Sequence, residues 1–531
     1  MRYLLQHGLE AAADAHPDRT AVFDRGRHVA YGELEARANQ LARLLVERNV
    51  SRGDRVGIYL EKSFDSVVGI YGTLKAGAVY VPLDPDAPVS RLAYIARNCG
   101  MRVLLTAAEK VRACGELVAG GAPLEHVVVL DSERIETDLP RPVETVGSGE
   151  LNEQPSDRPR CRTIGLDLAY ILHTSGSTGT PKGVMLSHLN GLAFVDWAVE
   201  EFAVGPDDRL SSHAPFHFDL SIFDLFAASS AGAAVVLVPP EASLFPIELG
   251  RFIERNAISV WYSVPSILNM LVERGGLAEN QFPALRVLLF AGEVFPSKYL
   301  SRLMKLLPRV RFCNLYGPTE TNVCAWYEVP AAPPEQSDPI PIGRAIPSVE
   351  IFALDDDGRR VHGDEVGELH VRGPTVMQGY WGDPDETARS LVTHPMRDLG
   401  KDLAHRTGDL VRETGDGDFV LLGRRDHRVK SRGHRIELGD VESALYACPA
   451  VVECAVTAVP DELVSNKIEA HVVVDGDVTA SQLADFCAAR LPRHMVPESI
   501  DIMTALPRTS TGKIDRRALL ERALTGKRPR R

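Results

Sequence analysis

The stretch from Leu168 to Gly183, Leu-Ala-Tyr-Ile-Leu-His-Thr-Ser-Gly-Ser-Thr-Gly-Thr-Pro-Lys-Gly, concentrates groups that bind anions. Thr174, Ser175, Ser177, Thr178 and Thr180 supply hydroxyl donors, and Lys182 adds a mobile positive charge. Gly176, Gly179 and Gly183 let the backbone turn its N–H groups toward one point. Together they suit a phosphate cradle. It is not a Walker A loop, because Lys182 follows Pro181 and precedes Gly183 where that loop needs Gly-Lys-Ser/Thr. Surface linkers share this composition, but the apolar run in front and the embedded Pro-Lys-Gly favour the cradle. Downstream, Ser187 can cap a helix in which Leu189, Leu192, Ala193 and Trp197 share one face. The expectation is a loop that joins a strand to a helix.

The elements around this loop must hold it. A chain of 531 residues, 44% hydrophobic, is long for one core and implies two or more domains. Apolar runs such as Arg55 to Leu60, Val79 to Pro82, Arg102 to Thr106 and His126 to Leu130 alternate with amphipathic segments such as Phe64 to Lys75, which Gly77 stops. The alternation argues for parallel α/β layers and resumes from about 205 to 330. Residues 139–163, rich in Pro, Glu, Ser and Arg, read as an exposed loop. From about 340 to 424 the Asp-Gly pairs 357–358 and 416–417 indicate antiparallel hairpins, and from about 427 a smaller α+β pattern follows. The fold class expected is α/β: a large N-terminal domain, residues 1–424, of layered α/β subdomains plus a β-rich one, and a small mobile α+β domain, residues 425–531.

A net charge of -13 offers no general attraction to nucleic acid or an anionic membrane. Eight cysteines without a CxxC pair point to reduced thiols. Neither a signal-peptide core nor an apolar run approaching ~20 residues is present, so a cytoplasmic setting is expected. His213 and His217 have a helical metal-ligand spacing, but Pro215 argues against a helix there, so structural or pocket-lining histidines are the better reading. The pair Asp356-Asp357 before Gly358 reads as a turn.

The loop at 174–183 resembles the phosphate-binding loop of the adenylate-forming superfamily, which includes acyl-CoA synthetases, luciferases and the adenylation domains of nonribosomal peptide synthesis. Further motifs follow in the family's order. Tyr316-Gly317-Pro318-Thr319-Glu320 resembles the motif whose tyrosine stacks on adenine, whose threonine contacts the α-phosphate and whose glutamate helps hold magnesium. An aromatic face suits a purine, and a carboxylate suits a hard cation. By the same resemblance Asp409 takes the ribose hydroxyls, Arg424 contacts the nucleotide and Asp426 is the hinge. Gly433 then lines the thiol tunnel after domain rotation, and Lys513 binds the substrate carboxylate and the charge developing near the ribose oxygen. His427-Arg428 departs from the pair common in carrier-dependent members, and His494 stands where tyrosine is common. Weaker matches include Leu74 to Ala78 and Gly379-Tyr380.

What the resemblance implies about the substrate turns on Phe218-Asp-Leu-Ser-Ile-Phe-Asp224. In amino-acid-activating members this aspartate pairs with the α-ammonium, and Asp219 occupies the position. A carboxylate among Phe218, Ile222 and Phe223 is costly to bury without a cation, which agrees with a positively charged substrate nitrogen. The family's pocket pattern falls on Asp219, Leu220, Phe223, Tyr262, Leu289, Ala291, Leu315, Val323, Cys324 and Lys513. The pocket is almost wholly apolar, so a small to medium hydrocarbon side chain is expected. The set is similar to that of stand-alone L-proline:carrier-protein ligases of pyrrole-forming pathways. D-Alanine:carrier-protein ligases and acyl-CoA synthetases for a small uncharged acid remain alternatives. ATP and magnesium are the implied cosubstrate and cofactor. About 18 residues follow Lys513, too few for a carrier domain, so the phosphopantetheine thiol is expected from a separate peptidyl carrier protein.

Overall fold

The computed structural model describes all residues except 1, 134, 136–138, 141, 175–179, 335–338, 395–401, 426–427, 509–513 and 526–531. Two large sheets form its body. An eight-stranded sheet runs, in spatial order, Gly379–Tyr380, Lys182–Ser187, Leu168–Thr174, Val79–Pro82, Arg55–Tyr59, Val103–Thr106, His126–Val129 and Glu144–Val146. Its middle is parallel, and the strands Val79–Pro82 and Val103–Thr106 are buried throughout, as continuous apolar runs covered on both faces must be. A nine-stranded sheet carries Arg209–Ser212, Val260–Ser263, Val287–Ala291 and Arg311–Tyr316 as parallel neighbours. One apolar cluster, including Tyr71, Tyr170, Phe223 and Leu289, fills the space between the two sheets. The helix Phe64–Lys75 starts at Ser63, whose hydroxyl accepts from the Ser66 amide while the Ser66 side chain caps the Ser63 amide, and Gly77 follows it at φ +77°.

The hairpins expected between 340 and 424 are the antiparallel sheet of Glu350–Leu354, Val366–Arg372, Leu403–Glu413, Leu391–Thr393 and Phe419–Arg424. Beyond it lie a two-stranded hairpin, Arg428–Ser431 with His434–Glu437, and a three-stranded sheet, Val451–Asp461, Ser465–Val474 and Ser499–Ile502. Helices Leu438–Tyr446 and Ala480–Ala488 complete this small unit, whose own core includes Ile436, Val441, Leu445, Val456, Val472 and Leu483. No helix among the described residues is long and apolar enough to cross a membrane. All eight cysteines are free thiols.

Three expectations need correction. The phosphate loop joins Leu168–Thr174 not to a helix but to the antiparallel strand Lys182–Ser187, with Thr174 opposite Lys182; only then does Ser187 cap the helix His188–Glu201. The alternating side chains of Lys182–Ser187 pair too well with the preceding strand to remain a loop. Leu189 points outward at 42% exposure, and Phe194, Val195 and Ala198 join Leu192 and Trp197 in the buried set. Residues 139–163 hold the short strand Glu144–Val146 and the helix Ser148–Glu153, because Val146 and Leu151 are fully buried against the main cluster.

The Leu74–Ala78 match has a structural role. Lys75, 1% exposed at its side chain, places Nζ 2.9 Å from Glu10 and 2.9 Å from Glu35, and Glu35 also accepts from Arg158 at 3.0 Å. Removing the cation leaves buried carboxylates undercompensated. Lys75→Met, which keeps the volume, is expected to cost about 3 kcal/mol, read as a lower urea midpoint; an unchanged midpoint would contradict this account.

Candidate active site

The C-terminal ends of the parallel strands open into a cleft whose far wall belongs to the small unit. Asp219, Leu220, Tyr262, Ala291, Thr319 and Val323 line the large-unit side; Lys430, Gly433, His434, Arg435, Pro492 and His494 close it from the other. Each arrives for a local reason. Tyr262 and Ala291 stand on the parallel strands Val260–Ser263 and Val287–Ala291. Asp219 precedes a helical turn that widens into a π-helix at Phe223–Ala227. Gly317 follows the strand Arg311–Tyr316 at a point where a Cβ would lie 1.7 Å from the carbonyl of Asn322, so the turn admits only glycine.

Of the residues assigned to the substrate pocket, Asp219, Leu220, Tyr262, Ala291 and Val323 reach the cleft. Leu289, Leu315 and Phe223 form the layer behind it, whereas Cys324 is buried with Tyr316 against the hairpin sheet. Leu289 pairs with Tyr262 and Leu315 with Ala291, while Phe223 meets the Tyr262 ring edge-on at 5.7 Å. Phe194 and Phe218 line the cleft and were not in the set read from sequence.

The charged groups each have a defined partner. Asp219 Oδ2 accepts from Thr319 Oγ1 at 2.8 Å; burial raises its pKa, opposed by that bond and by Lys430. Burial in turn pushes Lys430 down, against the attraction of Asp409 and Asp219. Asp409 accepts from the Tyr316 hydroxyl and from Arg424, which also donates to the carbonyl of Thr407 at 2.9 Å. Lys182 Nζ lies 2.6 Å from Glu386, on the helix Pro384–Ser390. Glu320 is 1% exposed, and its Oε1 accepts from the Tyr380 hydroxyl at 2.7 Å. Both of its carboxylate oxygens lie 3.0 Å from Arg435 Nη1. Burial opposes its charge, but the guanidinium wins and holds the carboxyl well below the usual range. A buried carboxylate with a cation already on both oxygens is a site built for positive charge, and its hard oxygen donors fit magnesium. Lys430, Arg435 and Glu386 were not singled out from the sequence, since basic and acidic runs show no pairing until folded.

Ser175, Gly176, Ser177, Thr178 and Gly179 of the phosphate loop, the hinge Asp426 and Lys513 lie outside the described residues. Thr174, at the start of that loop, lines the cleft. The residues flanking Lys513 pack within the small unit: Arg508 bridges to Ile514, and Ile514 lies against the cluster of Ala455, Leu506 and Leu519.

Comparison with known proteins gives the arrangement its context. The family described as AMP-binding enzyme matches residues 9–381, and the AMP-binding enzyme C-terminal domain matches residues 440–513. The chain belongs to the AMP-binding enzyme family. It is 42% identical over 521 residues to the L-proline–(L-prolyl-carrier protein) ligase of Pseudomonas fluorescens, covering 97% of this chain and 98% of the relative. To the ligase of the same name from Streptomyces coelicolor it is 38% identical over 506 residues, 92% of this chain and 91% of that one. The solved structure of the Vibrio cholerae adenylation domain AlmE, in complex with glycyl-adenosine-5'-phosphate, superposes with a TM-score of 0.85 over 99% of this chain and 98% of its own. At 23% identity that likeness establishes the fold. The AMP-binding enzyme so defined is an AMP-forming ligase.

In this AMP-binding enzyme one close contact between the units is made at Gly433. Its φ is +79°, its N–H donates to Glu293, and a Cβ there would meet Val264 at 2.5 Å. Gly433→Ala is therefore expected to prise the hairpin off the large unit while sparing the fold of each. The second half-reaction, from supplied adenylate, should fall at least about tenfold, the factor that about 1.4 kcal/mol of lost docking represents, with adenylate formation nearly unchanged. Equal loss of both would overturn this reading.

Proposed function

We propose that the protein activates L-proline as prolyl-AMP at the expense of ATP and transfers it to the phosphopantetheine thiol of a separate, stand-alone carrier protein in the cytoplasm. The carrying observation is Asp219, a buried carboxylate on the wall of the cleft beside the apolar Leu220, Ala291 and Val323, hydrogen-bonded to the same Thr319 that the family's pattern places on the α-phosphate. A carboxylate whose ionised form is disfavoured by burial gains most from a charged donor such as the secondary ammonium of proline. Leu220, Ala291 and Val323 offer the ring an apolar surface and no group that could neutralise a charged side chain. The names of the two relatives support the same substrate and acceptor.

Catalysis on this reading is positional and electrostatic, with no side-chain nucleophile. The loop at Thr174 to Gly179 together with Lys182 holds the phosphates, Tyr316 and Gly317 flank the base, and Asp409 with Arg424 orients the ribose. Glu320 would hold magnesium, which when bound offsets negative charge on the phosphates. Lys513 steadies the developing charge during adenylation. The small domain, from residue 425, then turns about Asp426 and presents Gly433 to the incoming thiol.

ATP–pyrophosphate exchange with L-proline, D- and L-alanine and uncharged acids tests the substrate. L-Proline should dominate, and Asp219→Ala should lower kcat/KM for it by about 10²–10³-fold, the range for removing one partner of a buried charge pair. Exchange driven by D-alanine or only by uncharged acids would overturn the reading. Lys513→Ala should depress adenylate formation while largely sparing thioester formation from supplied prolyl-AMP; equal loss of both would refute that division of labour.

A further inference from the structure

The contact between Arg435 and Glu320 has a consequence for the order of events in the cleft. Glu320 sits at the end of the nine-stranded sheet, in the turn Thr319–Thr321, and Arg435 comes from the small unit's hairpin strand His434–Glu437. Each carboxylate oxygen lies 3.0 Å from Arg435 Nη1, and Oε1 takes a third hydrogen bond from Tyr380. A carboxylate has about four acceptor sites, so this one is nearly saturated. A divalent cation on the same oxygens would face the guanidinium at close range in a site almost closed to water, where the repulsion of like charges is screened least.

The cation of the phosphate loop is also engaged by the protein: Lys182 rests on Glu386 at 2.6 Å, each side chain about nine-tenths buried. In this docked arrangement, the loop's lysine and the proposed magnesium carboxylate both have protein counter-ions. We propose that Arg435 is a positioning residue that takes magnesium's place on Glu320, so that the small domain docks as seen here only once magnesium and pyrophosphate have left. This rests on the proposed role of Glu320 as the magnesium holder. The arginine thereby converts departure of the inorganic product into a docking signal. Tight seating of the hairpin follows from the same exchange, because Arg435 and the Gly433 amide, bonded to Glu293, move as one unit.

Hydrogen–deuterium exchange of the hairpin 428–437 in the full chain tests the idea without relying on turnover. The probe is magnesium pyrophosphate, with pyrophosphate plus a chelator as control, and calorimetry reports binding separately. In the unsubstituted protein magnesium pyrophosphate should raise exchange across the hairpin severalfold, and the chelated control should not. Arg435→Met should exchange fast without any addition and respond little, and Arg435→Lys, a cation with one point of contact, should fall between. A shared thermal midpoint among the three would exclude unfolding as the cause. If magnesium pyrophosphate binds to the unsubstituted protein and to Arg435→Met alike but hairpin exchange is the same in both, the latch is refuted while the magnesium site stands. If Glu320→Gln leaves the magnesium dependence of pyrophosphate binding unchanged, the assignment of Glu320 fails and the latch with it.

Discussion

A carboxylate with 1% of its side chain exposed cannot persist as an anion without a cation, and Glu320 is such a carboxylate. Its backbone carbonyl accepts from the amide of Met377, its Oε1 from Tyr380 beside the edge of the eight-stranded sheet, and its two oxygens from Arg435 of the small unit. Three parts of the fold therefore meet on one side chain. Burying that charge unpaired would cost several kcal/mol, about as much as a buried pair loses when one partner is removed. Here that cation is Arg435, so the pairing that satisfies Glu320 also joins the small unit to the large one.

The same logic extends along the cleft. Lys182 and Glu386 satisfy each other, and Asp409 is held by Tyr316 and Arg424. None of these groups waits bare for a ligand. On the proposed roles, binding a nucleotide would be an exchange of partners: phosphate for Glu386 at the lysine, ribose hydroxyls beside Arg424 at the aspartate, and a metal ion for a guanidinium at Glu320. Such exchange avoids the cost of leaving a buried charge unpaired, and at Lys182 and Glu320 the incoming group would carry the same sign as the one it replaces.

How far this was legible in the sequence differs from element to element. The helix Phe64–Lys75 and the hairpin sheet from Glu350 to Arg424 follow from local signals, a cap, a stop glycine and Asp-Gly turns. The strand Lys182–Ser187 was read as part of a loop-to-helix passage because its pairing with Leu168–Thr174 is tertiary, and a strand of six residues has little period of its own. Leu289 and Leu315 share the pocket-facing side of their strands, one layer deeper than Tyr262 and Ala291, a depth that periodicity cannot express. Lys182 with Glu386 and Glu320 with Arg435 are separated by 204 and 115 residues, so residue type predicted the charge but not its partner.

Thr319 links the two ends of the proposed reaction. A threonine hydroxyl has one proton to donate, and here it is given to Asp219 at 2.8 Å. While that bond stands, the hydroxyl can accept from other groups but cannot donate to an α-phosphate. On the proposed substrate, an ammonium arriving at Asp219 would be a stronger, charged donor that competes with the threonine for the same carboxylate. A threonine displaced in this way would become available to the nucleotide when the amino group that must be activated is in place. On the proposed roles, substrate recognition and phosphate recognition would share a single hydrogen, a chemical reason for the pocket to prefer an amino acid over an acid of equal size that lacks the charged nitrogen.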